Sequence, residues 1–174
     1  MEYAKKHSRF CKGNVELDDR GLIVNPKFPF LGASVDSIVT CSKCGIGIVE
    51  VKCPYGSDKG ESAMTWRSIP PIDCAKDPTF FCELEISSNG IKMKLKQNHN
   101  YMFQIQGQMP VCEQKWTDFV VWTKKGVHFE RIDFDKNFWN QNMLPSLRQF
   151  YVHGMLSEIF SERVKRGMAL NVNH

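Results

Sequence analysis

Apolar and polar residues alternate from Ile46 to Lys52, Ile-Gly-Ile-Val-Glu-Val-Lys, which is the period of a β-strand. Side chains two apart on a strand share a face, so Glu50 and Lys52 point the same way, with Val49 and Val51 alternating against them and Pro54 ending the run. A second strand is predicted from Ala33 to Thr40, joined to the first by the turn Cys41-Ser42-Lys43-Cys44-Gly45. A hairpin centred on Lys43 sets Asp36 opposite Glu50.

The same reading organises the rest of the chain. Residues 1 to 12 have helical spacing, and Gly21 to Val24 form a short strand before the Asn25-Pro26 turn. Residues 58 to 67 are expected to be helical, and Pro70-Pro71 and Asp77-Pro78 to mark an extended loop. Phe80 to Ile86 and Ile91 to Leu95 flank Asn89-Gly90, a hairpin signal. Residues 98 to 113 carry Met102, Ile105 and Met109 at helical intervals for the core, with Pro110 expected to end or kink the helix; Gln104 and Gln108 lie on a different stripe and stay available. Trp116 to Thr123 and Val127 to Ile132 form another hairpin around Lys124-Lys125-Gly126. Asp135 caps a helical region running to Arg166, with a break expected at Pro145 and with Phe138, Trp139, Phe150, Tyr151 and Phe160 as its packing stripe.

Chemistry enters with the two carboxylates. Like charges directly across a strand pair destabilise it, so Asp36 facing Glu50 is best tolerated with a divalent cation between them, and hard oxygen ligands suit magnesium or manganese. A Glu-x-Lys on a strand is ordinarily a solvated face; here it lies inside an apolar run, which demands another reason.

With 174 residues, 42% of them hydrophobic, the chain is long enough for one sizeable core, so residues 1 to 174 are read as a single domain. No apolar run approaches the roughly 20 residues that span a bilayer, and no secretory leader precedes the first helix, so an intracellular protein with no membrane partner is expected. A net charge of +4 permits a polyanionic partner without demanding one. Seven cysteines without a secretory signal indicate a reducing compartment. Cys41 and Cys44 could supply half of a zinc site, completed by Cys53, Cys74, Cys82 or His99; a lone CxxC is too little for that, and zinc is not expected.

Ordered blocks then carry a resemblance: Phe30-Leu31-Gly32-Ala33-Ser34-Val35-Asp36; Gly47-Ile48-Val49-Glu50-Val51-Lys52-Cys53-Pro54; Tyr101-Met102-Phe103-Gln104-Ile105-Gln106-Gly107-Gln108-Met109; and Trp116 to Trp122 followed by Glu130-Arg131-Ile132. They resemble the YqaJ-type viral recombinase nucleases, relatives of phage lambda exonuclease in the PD-(D/E)xK superfamily. The resemblance implies an α/β restriction-endonuclease-like core with a mixed central sheet flanked by helices, and a magnesium- or manganese-dependent 5′-to-3′ exonuclease acting on duplex DNA ends in recombination. It implies that Asp36, Glu50 and the Val51 carbonyl hold two metal ions, that Lys52 positions or activates the attacking water, and that Tyr101, Gln104 and Ser34 meet the DNA, Gln104 also serving catalysis. A single-strand annealing protein as partner and a homotrimeric ring are implied likewise. Three departures stand out. Val35 and Ser37 replace a proline and a glycine around the aspartate. On the first helix, Ser8 stands where family members carry a glutamate after a Tyr-Gly step, here Tyr3-Ala4. The chain also starts within that helix, so an upstream DNA-binding segment is expected to be lacking, which leaves a catalytically inactive DNA-binding or recombination-partner module as the alternative.

Overall fold

A computed structural model describes residues 2–56, 65–88 and 90–170. Helix α1 (Glu2–Cys11) leads into strand β1 (Val15–Asp18), the short pair β2 (Ile23–Val24) and β3 (Gly32–Ala33), and then β4 (Ser37–Cys41) and β5 (Gly45–Lys52). After them come the short helix α2 (Pro71–Cys74), the hairpin β6 (Cys82–Ser87) and β7 (Gly90–Leu95), helix α3 (Asn100–Val111), and the hairpin β8 (Trp116–Thr123) and β9 (Gly126–Asp133). The chain closes with a run in which α-helical turns α4 (Lys136–Phe138), α5 (Leu144–Gln149) and α6 (Ser157–Ser161) alternate with π-helical turns at Trp139–Met143 and Phe150–Leu156.

Five strands form the central sheet in the order β1-β4-β5-β8-β9. All neighbours are antiparallel except β5 and β8, which run parallel, with Val49 beside Asp118 and Glu50 beside Phe119. Alternation then sorts the side chains. One face gathers Val39, Val49, Val120 and Val127 under Tyr3 of α1, and the other gathers Phe119 and Val121 under Met102 and Ile105 of α3, with Ile48 and Met109 in a neighbouring cluster. Gly47 is a glycine because the Trp116 ring lies over it, where a Cβ would come within 2.4 Å of ring carbons.

Several expectations are corrected. Strand β1 carried no signal strong enough to be assigned, yet it pairs with β4 along its whole length. The predicted strand from Ala33 to Thr40 is two elements, since Gly32–Ala33 turns away to pair with β2. Of the helix expected over 58 to 67, residues 57–64 lie outside the described residues, and Trp66–Ser68 make one tight 3₁₀ turn. Pro71 begins α2 instead of continuing an extended loop, as suits a residue whose missing N–H is no loss in a first turn. Pro145 does not break the C-terminal run: it sits in the first turn of α5, just after a π-helical turn that loosens the hydrogen-bond ladder. That run ends at Ser161, where Glu162 takes a left-handed conformation, short of Arg166. Its aromatics do not form one buried stripe, because Trp139 is buried while Phe150 and Phe160 are exposed. Asp135 does cap, its carboxylate accepting from the Phe138 N–H at 2.9 Å.

Candidate metal-dependent hydrolytic site

The β4–β5 register is centred on Lys43. Ser37 pairs with Val49 and Ile38 with Ile48, so the next position along sets Asp36 against Glu50, although Asp36 lies one residue ahead of the hydrogen-bonded strand. Asp36 is exposed, and its Oδ2 accepts from the Val51 N–H at 2.7 Å, which fixes the carboxylate at the rim of β5.

Glu50 is 4% exposed, and burying a carboxylate is costly unless it is paired and hydrogen-bonded. Three donors converge on it. Lys52 Nζ donates to Oε1 at 2.6 Å, Gln104 Nε2 donates to the same oxygen at 2.7 Å, and Gln108 Nε2 donates to Oε2 at 3.0 Å. Both glutamines come from α3, four residues apart and hence on one face of the helix. Lys52 Nζ also donates to Gln104 Oε1 at 3.1 Å and lies 4.4 Å from the centre of the Tyr101 ring. His99 holds the start of α3 by accepting from the Tyr101 N–H at 3.1 Å.

The structure therefore brings Asp36, Glu50, Lys52, Tyr101 and Gln104 to one end of one sheet face, while Val51 meets them by its N–H to Asp36 and turns its side chain to the opposite face. Ser34 reaches the site by its backbone: its carbonyl accepts from Gln108 Nε2 at 3.0 Å. Gln108 is the residue that sequence reasoning left unassigned, and its spacing of four from Gln104 was the available signal. Its amide is oriented by the two bonds that Nε2 donates, so Oε1 is left buried without a partner inside the site. Beside these residues opens a cleft of about 350 Å³ lined by Ser34, Phe103, Gln104, Gln108, Trp139 and Met143.

The Asp36 and Glu50 carboxylates, set against each other by the β4–β5 register, offer only oxygen donors, a chemistry that fits a hard divalent cation. The ion pair with Lys52 fits it as well, because an ammonium on a flexible stem can move aside from Glu50 without leaving the site.

Ser8 is not part of this cluster. Helix α1 packs with Tyr3 on the opposite face of the sheet, and the Ser8 hydroxyl donates to the Gly13 carbonyl at 2.8 Å. Cys41 and Cys44 lie on that opposite face too, grouped with His7 and Cys11. The partners considered from the sequence lie elsewhere: Cys74 and Cys82 are in the core beneath α3, His99 caps α3, and Cys53 follows β5 exposed.

An acid, a Glu-x-Lys strand and a flanking glutamine-bearing helix thus meet on a five-stranded mixed α/β sheet, the core that the resemblance implies. A family model for the YqaJ-like viral recombinase domain matches residues 1–117, and the chain belongs to that family. Among solved structures, an alkaline exonuclease (LHK-Exo) from Laribacter hongkongensis is similar at 22% identity with a TM-score of 0.57, over 95% of this chain and 68% of that one. LHK-Exo in complex with dAMP is similar at 21% identity with a TM-score of 0.58, over 95% of this chain and 69% of that one. At these identities the likeness is one of fold. No curated protein sequence matches significantly.

Proposed function

We propose that the chain is a metal-dependent deoxyribonuclease that hydrolyses phosphodiester bonds at duplex DNA ends, in the 5′-to-3′ direction, in the service of recombination. The observation that carries this reading is the convergence of Asp36, Glu50, Lys52 and Gln104 on one rim of the sheet beside an open cleft. Asp36, Glu50 and the Val51 carbonyl would hold magnesium or manganese, with room in the family pattern for two ions. When bound, such ions stabilise charge on the attacking and leaving oxygens. Lys52, released from Glu50, would place its ammonium toward the phosphate or, after giving its own proton to solvent, would take the proton of the attacking water as the neutral amine. Gln104 keeps Lys52 and Glu50 in register, and Gln108 ties Glu50 to the Ser34 backbone. Tyr101 covers the Lys52 stem and, with Ser34 at the cleft wall, meets the DNA. Following the family resemblance, a single-strand annealing protein is the proposed partner and a homotrimer the proposed assembly.

The test is release of mononucleotides from linear duplex DNA labelled separately at each 5′ and 3′ end, with magnesium, with manganese and with chelator. Metal-dependent release that starts at the 5′-labelled terminus and is abolished by Glu50→Gln is expected. Tight DNA binding with no release in either metal would overturn the enzymatic reading in favour of a binding module.

A further inference from the structure

On the other face of the sheet, at the closed end of the β4–β5 hairpin, four soft donors converge. The ligand atoms of His7, Cys11, Cys41 and Cys44 all lie within 4.8 Å of one another, and the Cys11 and Cys41 sulfurs are 3.3 Å apart. Two thiolates on one tetrahedral zinc ion stand about 3.8 Å apart, given Zn–S bonds of about 2.3 Å. The four donors are thus already at coordination spacing.

The backbone explains why. His7 and Cys11 are one turn apart on α1, so both present to the same side of the helix. Cys41 and Cys44 straddle the hairpin turn, where the N–H groups of Lys43 and Cys44 point at the Cys41 sulfur at 3.5 and 3.4 Å. Gly45, at φ +80°, lets the chain leave that turn directly into β5. N–H groups aimed at a sulfur favour its thiolate form, the form that binds metal.

The surroundings of His7 are those of a ligand histidine. Its ring is fully buried, and Nδ1 lies 2.9 Å from Asp118 Oδ2 and 2.8 Å from the Tyr3 hydroxyl. A carboxylate on Nδ1 fixes the tautomer and makes Nε2 the acceptor, which is the outer shell found behind metal-bound imidazoles. Arg131, paired with Asp118 and stacked 3.7 Å from the Trp116 ring, donates from Nη2 to that Nε2 at 3.5 Å; zinc would take over this lone pair and leave the guanidinium beside the thiolates as a counter-charge.

We propose that His7, Cys11, Cys41 and Cys44 bind one structural zinc ion. Binding releases the thiol protons and forms three Zn–S bonds and one Zn–N bond, with no change of oxidation state. Four protein ligands close the coordination shell, so the ion cross-links the end of α1 to the hairpin turn instead of doing chemistry. The link fixes the register of the hairpin whose other end carries Asp36 and Glu50. The proposal stands whether or not the chain is a nuclease, because no residue is shared between the two clusters.

The test is elemental analysis of the protein purified under reducing conditions without added chelator. One zinc per chain is expected in the wild type and in Glu50→Gln, and near-complete loss in Cys41→Ser and in His7→Asn. Where those variants fail to fold, a second measurement on the wild type decides. Exchange with cobalt should give the visible bands of a tetrahedral ion and the near-ultraviolet thiolate charge-transfer band of a multi-thiolate site, and zinc should protect three of the seven thiols from a thiol reagent. No zinc with Cys11, Cys41 and Cys44 equally reactive with and without chelator, a Cys11–Cys41 disulfide in a non-reduced peptide map, or iron with acid-labile sulfide would each overturn the proposal.

Discussion

Asp118 and Glu50 occupy neighbouring strands of one sheet, both almost wholly buried, and point to opposite faces. Asp118 is enclosed. Arg131 donates to it twice, from Nε at 2.8 Å and Nη2 at 3.0 Å, and Tyr3 donates at 2.6 Å from α1 above. An arginine does not lose its proton in a protein, and burial followed by the charge of Asp118 pushes the Tyr3 phenol far up, so neither of these donors gives up its proton to solvent. Glu50 is held by a lysine and two amides, and beside it lie the exposed Asp36 and the cleft. A buried acid therefore does not identify a reactive site by itself. What sets Glu50 apart is a lysine rather than an arginine as its counter-charge and a second, exposed carboxylate beside it, which is why the proposed chemistry is placed there.

The contrast can be broken most forcefully at Asp118. Asp118→Ala strands Arg131 without its partner, and removal of one member of a buried pair costs about 3–5 kcal/mol; urea unfolding should register that loss, while a change within about 0.5 kcal/mol would erase the distinction between the two faces. On the other face Lys52→Ala should fold and keep most DNA affinity, which many phosphate contacts share. Its single-turnover cleavage should fall by on the order of a hundredfold, about 2.7 kcal/mol, and cleavage at the wild-type rate would remove Lys52 from the chemistry. Metal itself is the third probe. Magnesium or manganese at about a hundredfold excess over its dissociation constant should stabilise the wild type by about 2.7 kcal/mol in a thermal shift, and equal shifts in Glu50→Gln would count against Glu50 as a ligand. Gln104→Ala should slow cleavage about tenfold, roughly 1.4 kcal/mol, as a positioning defect that leaves the metal-induced shift in place. The smallest effect belongs to Ser8→Ala, whose turnover should stay within roughly twofold of wild type because surface changes far from a site are nearly silent; a large loss would bring α1 back into the catalytic cluster.

The carboxylate site was legible because a hairpin is a local object. Turn composition and a period of two fixed which residue of the β4–β5 pair faces which, and the observed register agrees from Ser37–Val49 to Cys41–Gly45. The β6–β7 and β8–β9 hairpins were readable for the same reason. Long-range associations were not. Strand β1 offers four residues whose partners appear only once β4 is in place. The residues grouped with Cys41 and Cys44, His7 and Cys11, come from helix α1, and their spacing of four gives no sign by itself of the hairpin turn they meet. Gln108 was visible as a polar residue one turn from Gln104 and off the core stripe, but that spacing alone does not name Glu50 as its partner.

The bonds that close the two faces differ in how far they reach along the chain. Arg131 finds Asp118 across 13 positions, within one hairpin; Gln104 and Gln108 find Glu50 across 54 and 58; Tyr3 finds Asp118 across 115. Loop-closure entropy makes distant pairings late and slow. As the chain leaves the ribosome, the Asp36–Glu50 hairpin can form with only Lys52 to offset its charge, and it must wait for α3 before the glutamines arrive. Helix α1, made before the sheet, can dock on Asp118 only once β8 has followed it. A refolding time course should therefore show strand signal ahead of the burial of Tyr3, and destabilising α1 should speed unfolding more than it slows folding.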